Sequence, residues 1–215
     1  MKINLFSGFL LAILFLTFTA GSLMAGSTLY DNGPYGGDID AWTINEGFVV
    51  SDSFTLTTNA TITGFAFNAW LLAGDVLTSA EVSITSNEFG GTIYFDQTVN
   101  FTQVGRCTSN SYGYNVCDEV SSFQGPSLNA GTYWVNLQNA SVPNGDPVYW
   151  DENSGTGCNS PGCPSQASEN ANGSIPSESF TILGNRGSGT TPEGGTILLL
   201  SSALLVASGF RRRFF

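Results

Sequence analysis

Short runs in which apolar and polar residues alternate recur through the middle of the chain. In three of these runs the apolar residues share one parity: Phe48, Val50, Phe54 and Leu56; Val82 and Ile84; Tyr133, Val135 and Leu137. A period of two residues is typical of strands with one buried face. Together with β-branched and aromatic content, the pattern predicts strands over residues 47–57, 61–71, 81–85, 91–99, 132–138, 148–151 and 179–183.

Turn-forming residues separate these runs. Gly90-Gly91, Asn129-Ala130-Gly131 and Asn144-Gly145 tolerate positive φ and favour antiparallel connections. Seven or eight strands over this length predict an all-β fold, an antiparallel β-sandwich of the jelly-roll or immunoglobulin-like type over residues 26–184. The 16 Phe, 7 Tyr and 4 Trp of the chain supply apolar area for its core.

The N-terminal segment has the pattern of an export signal. Lys2 precedes an apolar run over residues 9–16, and small residues follow up to Ala25. This order is typical of a secretory signal peptide, so we predict one over residues 1–25. Cleavage is expected after Ala25, or alternatively after Ser22.

The C-terminal segment has a second apolar run, over residues 196–210, which ends in Arg211-Arg212-Arg213. A helix of this length rises about 22 Å and predicts a short transmembrane span. The arginines should keep the tail at 211–215 in the cytoplasm and place the body outside. A Gly- and Ser-rich stretch at 185–195 is predicted to be a flexible linker.

The order of Pro192 and Glu193, the apolar segment and the three arginines resembles the bacterial PEP-CTERM sorting signal. That signal consists of a Pro-Glu-Pro motif, a transmembrane helix and a basic end. Gly194 stands where the family usually has its second proline. The resemblance covers the C-terminal tail alone. It implies export, processing by an exosortase, and association with the cell envelope, exopolysaccharide or biofilm matrix.

Four cysteines lie in the body, Cys107, Cys117, Cys158 and Cys163. An even number in an exported chain indicates disulfides, and three pairings are open. We favour the two local pairs, Cys107 with Cys117 and Cys158 with Cys163. The alternative, a zinc site, is disfavoured because the spacings do not match the usual ligand pairs and the chain has no histidine.

Charge and composition exclude several function classes. Between residues 26 and 191 there are sixteen carboxylates and two cations, Arg106 and Arg186, so the body should repel nucleic acid and anionic lipid. The absence of histidine removes the commonest general base and every Ser-His-Asp or Cys-His arrangement. Carboxylate chemistry remains, and no catalytic motif is recognisable.

Three carboxylates flank a pair of aromatic residues. Asp146, Asp151 and Glu152 lie on either side of Tyr149 and Trp150. Two acidic groups across a cleft would suit a glycan-active enzyme. The simpler interpretation, which we favour, is that the carboxylates solvate the ends of a strand.

Calcium is the cofactor hypothesis, because loop carboxylates can hold this ion. Asp38 and Asp40 form one candidate pair, and Asp146, Asp151 and Glu152 form a second group. Neither forms the twelve-residue loop of an EF-hand. The favoured interpretation is a polar surface loop without a cofactor.

Aromatic residues near strand ends are candidates for stacking on sugars. The predicted glycan-binding residues are Trp42, Tyr149 and Trp150; the same argument applies to Trp70, Tyr112 and Tyr114. The competing interpretation is that most of these rings fill the core. The sequence therefore predicts an exported, surface-anchored or matrix-associated protein that is not an enzyme and has polysaccharide as its expected ligand. A glycan-active enzyme and a calcium-stabilised scaffold are the alternatives.

Overall fold

The computed structural model describes residues 26–187. The predicted signal peptide, most of the linker, the sorting motif, the transmembrane helix and the basic tail lie outside the described residues. Residues 26–187 form strands, turns and loops, and no helix long and apolar enough to cross a membrane occurs among them. The strands are β1 (Ser27–Asp31), β2 (Ala41–Thr43), β3 (Val49–Leu56), β4 (Ala60–Leu71), β5 (Ser79–Asn87), β6 (Gly90–Asn100), β7 (Thr102–Ser109), β8 (Asn115–Ser122), β9 (Ser127–Leu128), β10 (Gly131–Ser141), β11 (Tyr149–Asp151), β12 (Ala167–Glu169), β13 (Gly173–Ile175) and β14 (Phe180–Arg186).

The strands form two sheets. The first sheet is built around β4, which pairs with β14 and β11 along one edge and with β8 and β9 along the other. β1, β2 and β7 extend this sheet beside β14, β11 and β8. The second sheet has the order β13-β12-β3-β10-β5-β6. Every strand pair in both sheets is antiparallel, which confirms the predicted all-β antiparallel fold.

The seven predicted strands correspond to β3, β4, β5, β6, β10, β11 and β14, and seven further strands were not predicted. β8 was missed because Cys117, Glu119 and Ser121 occupy its core-facing positions and leave no apolar alternation. Glu119 pairs with Phe67 on β4, and residues directly opposite on neighbouring strands share a face. The predicted start of the linker at residue 185 was two residues early, because β14 continues through Arg186 and pairs there with Ala60.

The two sheets share one apolar core. Trp150 is fully buried in it and packs against Phe65, Phe67 and Phe180, with ring centroids 5.6 to 6.0 Å away. Its indole N–H donates a hydrogen bond of 2.8 Å to the carbonyl of Ser179. The indole N–H is the only polar group of the Trp150 side chain. Because it is hydrogen-bonded, the whole side chain can be buried without leaving a donor unpaired.

One end of the core is polar and holds the long segment between β11 and β14 in place. The buried Asn32 donates side-chain hydrogen bonds to Ser165 Oγ, Ser177 Oγ and the carbonyl of Glu178. Asp52, on the core-facing side of β3, accepts the amide of Glu178 at 2.7 Å. Burial raises the pKa of the Asp52 and Glu178 carboxyls well above their ordinary values.

Candidate functional site

A groove on the outer face of the first sheet brings four aromatic side chains together. Trp70 on β4 pairs in register with Tyr149 on β11, and Trp150 pairs with Ala69. Successive residues of a strand point to opposite faces, so Tyr149 faces outward while its neighbour Trp150 faces the core. Two strands of opposite direction thus place Trp70 and Tyr149 side by side on the outer face of the sheet, where Trp70 is 6% exposed.

The other two rings come from the hairpin between β7 and β8. Its tip carries Tyr112, which is 59% exposed, and Tyr114. A disulfide between Cys107 and Cys117 joins the two strands of this hairpin close to its tip. Inside the tip, Asn110 Oδ1 accepts the backbone amides of Tyr112 and Tyr114 at 3.1 and 2.9 Å. The disulfide and the asparagine together fix the direction in which the two tyrosines point.

The hairpin tip is docked on the loop that precedes β2. Asn110 Nδ2 donates to the carbonyl of Gly37, and the amide of Ser111 donates to Asp38 Oδ1 at 2.6 Å. Hydrogen bonds from the backbone and the side chain of Ser111 lower the pKa of the Asp38 carboxyl. Asp38 is therefore held as an acceptor for the tip, which joins one wall of the groove to the other.

The groove has a volume of about 330 Å³ and is lined by Ile39, Asp40, Ala41, Trp70, Tyr112, Tyr114 and Tyr149. Its volume falls within the range of small-molecule sites, about 300 to 1,000 Å³. Tyr112 stacks on Trp70 with ring centroids 5.6 Å apart and an interplanar angle of 24°. Tyr114 lies 5.7 Å from Trp70 and meets Tyr149 edge-on at 5.3 Å.

A buried carboxyl lies beneath these rings. Asp151 ends β11, is fully buried and accepts the amide of Gly37 with both oxygens, at 3.2 and 3.1 Å. Gly37 has φ of 72°, a left-handed conformation that favours glycine. Burial raises the pKa of Asp151 to about 7, against the opposing effect of the Gly37 amide and of the Trp70 indole N–H, which lies close by without reaching hydrogen-bond geometry. The Asp151 carboxyl therefore ionises near neutral pH.

Tyr149 stays neutral at physiological pH. Burial, with smaller effects from the Tyr114 hydroxyl and the Glu46 carboxylate, raises the pKa of Tyr149 to about 12. A neutral phenol both donates and accepts hydrogen bonds. Aromatic faces, phenol hydroxyls and the exposed carboxylate of Asp40 are therefore the groups that this groove offers to a ligand.

Of the three predicted glycan-binding residues, the groove contains Tyr149 alone. The prediction for Trp150 was wrong, because this side chain is fully buried in the core. Trp42 pairs directly with Trp150 and packs against the same core while partly exposed, so it lies on the other side of the sheet from the groove. Trp70, Tyr112 and Tyr114, which the sequence placed in the wider set of candidates, complete the site.

The structure separates the three carboxylates that flank Tyr149 and Trp150. Asp146 lies before β11, where its carbonyl accepts Asn45 Nδ2, whereas Asp151 ends the strand. Glu152 follows in extended backbone and bridges to Glu178, so it points away from the groove side of Asp151. These groups do not face one another across the groove.

The calcium candidates fall into two places. Asp38, Asp40, Asp151 and Glu152 lie at one end of β2 and β11, and Asp146 lies at the other. Between residues 26 and 187, no group of three or more Cys, Asp or Glu side chains is arranged to hold a metal ion. Calcium binding stays a prediction of the sequence alone.

Several buried carboxyls were not predicted from the sequence, because acidic side chains are usually exposed. Asp52, Glu119 and Glu178 are all at most 1% exposed. Both side-chain oxygens of Glu119 and of Glu178 lack a hydrogen-bond partner. Burial and the neighbouring Asp118 raise the pKa of Glu119 to about 7. The available signal was parity, since Asp52 falls on the apolar side of the alternation that runs through Val50 and Phe54.

Both predicted disulfides are present. Cys107 is bonded to Cys117, and Cys158 is bonded to Cys163 in the long segment before β14. Bonds of this kind persist in oxidising compartments, which indicates an extracellular or periplasmic environment for the domain.

Comparison with models of known protein families gave no match, and comparison with curated proteins gave none either.

Proposed function

We propose that this chain is an exported, surface-anchored or matrix-associated β-sandwich protein that binds polysaccharide through the aromatic groove and does not cleave it. Two antiparallel sheets packed over one core support the sandwich architecture. The two disulfides support an oxidising location. The resemblance of the tail at Pro192, Glu193 and residues 211–213 to a PEP-CTERM signal supports export and sorting by an exosortase-type enzyme.

The observation that carries the binding proposal is the clustering of Trp70, Tyr112, Tyr114 and Tyr149 on an outer sheet face. The faces of a sugar ring carry C–H groups that pack on aromatic rings, and its edges carry hydroxyls. Tyrosine and tryptophan suit such a ligand because each joins an apolar face to a polar atom. Asp40 and the phenol hydroxyls are available for the sugar hydroxyls.

The arrangement of the carboxylates favours binding over cleavage. A glycosidase of the usual kind places two carboxyl groups on either side of the scissile bond. In the groove, Asp40 is the exposed acid, and Asp151 is fully buried under the rings. Asp151 and Glu152 point to opposite sides of the chain. A bound glycan would thus meet one accessible carboxylate.

The proposal is tested with the full-length protein, purified under oxidising conditions and screened by affinity electrophoresis against a panel of soluble polysaccharides. Products are analysed for every polysaccharide that binds. The test variant is Tyr112→Ala, because Tyr112 is the most exposed ring of the groove. The matched control is Tyr94→Ala, which removes a ring that is 40% exposed on β6 of the second sheet.

We expect selective binding without products, a loss of retardation in Tyr112→Ala, and unchanged retardation in Tyr94→Ala. Shortened glycan products would overturn the non-catalytic assignment and direct attention to Asp40 and Asp151. Equal behaviour of the two variants would show that the groove is not the binding site.

A further inference from the structure

The charges around the groove all have one sign. Asp40 lines it, Asp38 lies in the loop beside it, and the Glu46 carboxylate is close enough to Tyr149 to contribute to the raised pKa of its phenol. A ligand in the groove therefore sits in a negative potential.

The two positive charges of the described residues lie outside the lining of the groove, although Arg106 belongs to β7, in the hairpin whose tip carries Tyr112 and Tyr114. Residues 26–187 contain two cationic side chains, Arg106 and Arg186, against sixteen carboxylates. Neither arginine is among the residues that line the groove. Arg186 donates to the carbonyl of Thr28 at the edge of β1. A uronate or other anionic sugar would thus meet repulsion without a compensating cation among the lining residues.

Aromatic rings and a carboxylate together suit a positively charged group. The faces of Trp and Tyr rings are negative, and an ammonium placed over them is attracted electrostatically. The groove offers three phenol rings around one site, with Asp40 at its edge, and Trp70 lies beneath them, 6% exposed and stacked against Tyr112. A neutral sugar would use the ring faces alone, whereas an ammonium would use the faces and the charge.

From this complementarity we infer that the groove recognises the ammonium group of an amino sugar, so that the ligand is a polysaccharide with free amines. This inference rests on the proposed polysaccharide function and specifies its ligand class. It orders ligands by charge: amine-bearing sugars bind more tightly than N-acetylated or neutral ones, and anionic sugars bind least.

The test is isothermal titration of the full-length protein with four oligomers of equal length: glucosamine, N-acetylglucosamine, glucose and glucuronic acid. Titrations are made at a pH below the pKa of the sugar amines. A single cation–π contact predicts that the glucosamine oligomer binds between about 2-fold and 30-fold more tightly than its N-acetylated form. Asp40→Asn should lower the ratio between the affinity for the glucosamine oligomer and the affinity for its N-acetylated form.

The matched control is Asp96→Asn, which makes the same change at an exposed position on β6 of the second sheet. It lowers the total negative charge by the same amount as Asp40→Asn and should leave the ratio unchanged. Equal narrowing in both variants would overturn the site-specific inference, because long-range attraction by the whole body would then explain the preference.

Tetramethylammonium separates the inference from the function on which it rests, because it carries a permanent charge and no sugar. We expect it to compete with the glucosamine oligomer. Equal affinity for the amine, acetylated and neutral oligomers would overturn the ammonium inference and leave polysaccharide binding standing. Binding of tetramethylammonium without any oligomer would keep the ammonium specificity and overturn the polysaccharide function, and no binding at all would overturn both.

Discussion

Two aromatic clusters lie on opposite sides of the same strands. The core cluster consists of Trp150 with Phe65, Phe67, Phe101 and Phe180, and the groove cluster consists of Trp70 with Tyr112, Tyr114 and Tyr149. Each surrounds one tryptophan, but the first uses phenylalanine and the second uses tyrosine.

The difference shows that phenylalanine and tyrosine serve different purposes in the two clusters. A phenyl ring has no polar atom to satisfy, so it can be enclosed completely, and Phe65, Phe67 and Phe180 are at most 3% exposed. A phenol keeps its hydroxyl in reach of water or a ligand, and Tyr112 remains 59% exposed. We therefore expect the core cluster to determine stability and the groove cluster to determine affinity.

Trp150→Ala should have the largest effect. It removes a fully buried indole and its hydrogen bond to the Ser179 carbonyl, which should lower the free energy of unfolding by about 3 to 5 kcal/mol. Denaturant unfolding measures the loss. Trp150→Phe, which keeps a ring but leaves the carbonyl without its donor, should cost less. A cost below that of Tyr112→Ala would contradict the division between the clusters.

Removal of the Cys107–Cys117 bond should lower stability and weaken the groove together. Closure of a loop of this size accounts for about 2 to 3 kcal/mol, so the double variant Cys107→Ala/Cys117→Ala should unfold at lower denaturant. It should also lose ligand affinity, because the bond orients Tyr112 and Tyr114. Cys158→Ala/Cys163→Ala serves as the control: a similar loss of stability with affinity retained is expected. If both double variants retained their ligand affinity, the Cys107–Cys117 bond would not be needed to orient the tyrosines of the groove.

Stability should fall as pH rises from about 5 to 8. Burial raises the pKa of Glu119 to about 7 from an ordinary value of 4.5, so folding is favoured while the carboxyl is protonated in both states. Above pH 4.5 the unfolded chain ionises first, and the contribution is lost as pH passes through 7. Asp52, Asp151 and Glu178 have raised pKa values and act in the same direction.

Glu119→Gln isolates one of these groups on the core side of β8. Unfolding at pH 8 should require up to roughly 3 kcal/mol more than in the unmodified protein, with no difference below pH 4.5. Asp151→Asn, under the groove, should show the same sign and should also change ligand affinity. A Glu119→Gln variant with the original pH profile would show that this carboxyl does not titrate between pH 5 and 8.

The smallest effect on stability is expected for Tyr112→Ala. The ring is mostly exposed, so its loss should change the free energy of unfolding by less than about 0.5 kcal/mol. Thermal and denaturant unfolding beside Trp150→Ala give the direct contrast. A cost of several kcal/mol would mean that the groove cluster also supports the fold.

The alternation of side chains was sufficient to predict the long strands, because β3, β4 and β10 each keep one apolar face. It could not decide the orientation of β11, since Tyr149 and Trp150 are both aromatic and the strand has only three residues. Pairing with β4 decides it by placing Tyr149 opposite Trp70. The hairpin tip that completes the groove depends on contacts with the loop at Gly37 and Asp38, which no local pattern reveals.

The buried carboxyls escaped prediction for a different reason. Asp52 shares the parity of the core-facing residues of β3, but carboxylates are rarely buried, so the sequence did not single it out as a core residue. In the folded chain the Glu178 amide, at 2.7 Å from Asp52 Oδ2, offsets part of the cost of burial. That partner is more than one hundred residues away in the chain and becomes visible only in the fold.

The position of β1 has a consequence for the time at which the protein can fold. β1 pairs with β14, and Ser27 bonds to Gly184 across 157 residues of sequence. In the first sheet, β14 lies between β1 and β4, so the N-terminal strand has no edge to join until synthesis has passed Arg186. Pairings of this range form slowly, so the first sheet should be completed only after β14 has been synthesised, whereas β3, β5, β6 and β10 of the second sheet can pair earlier.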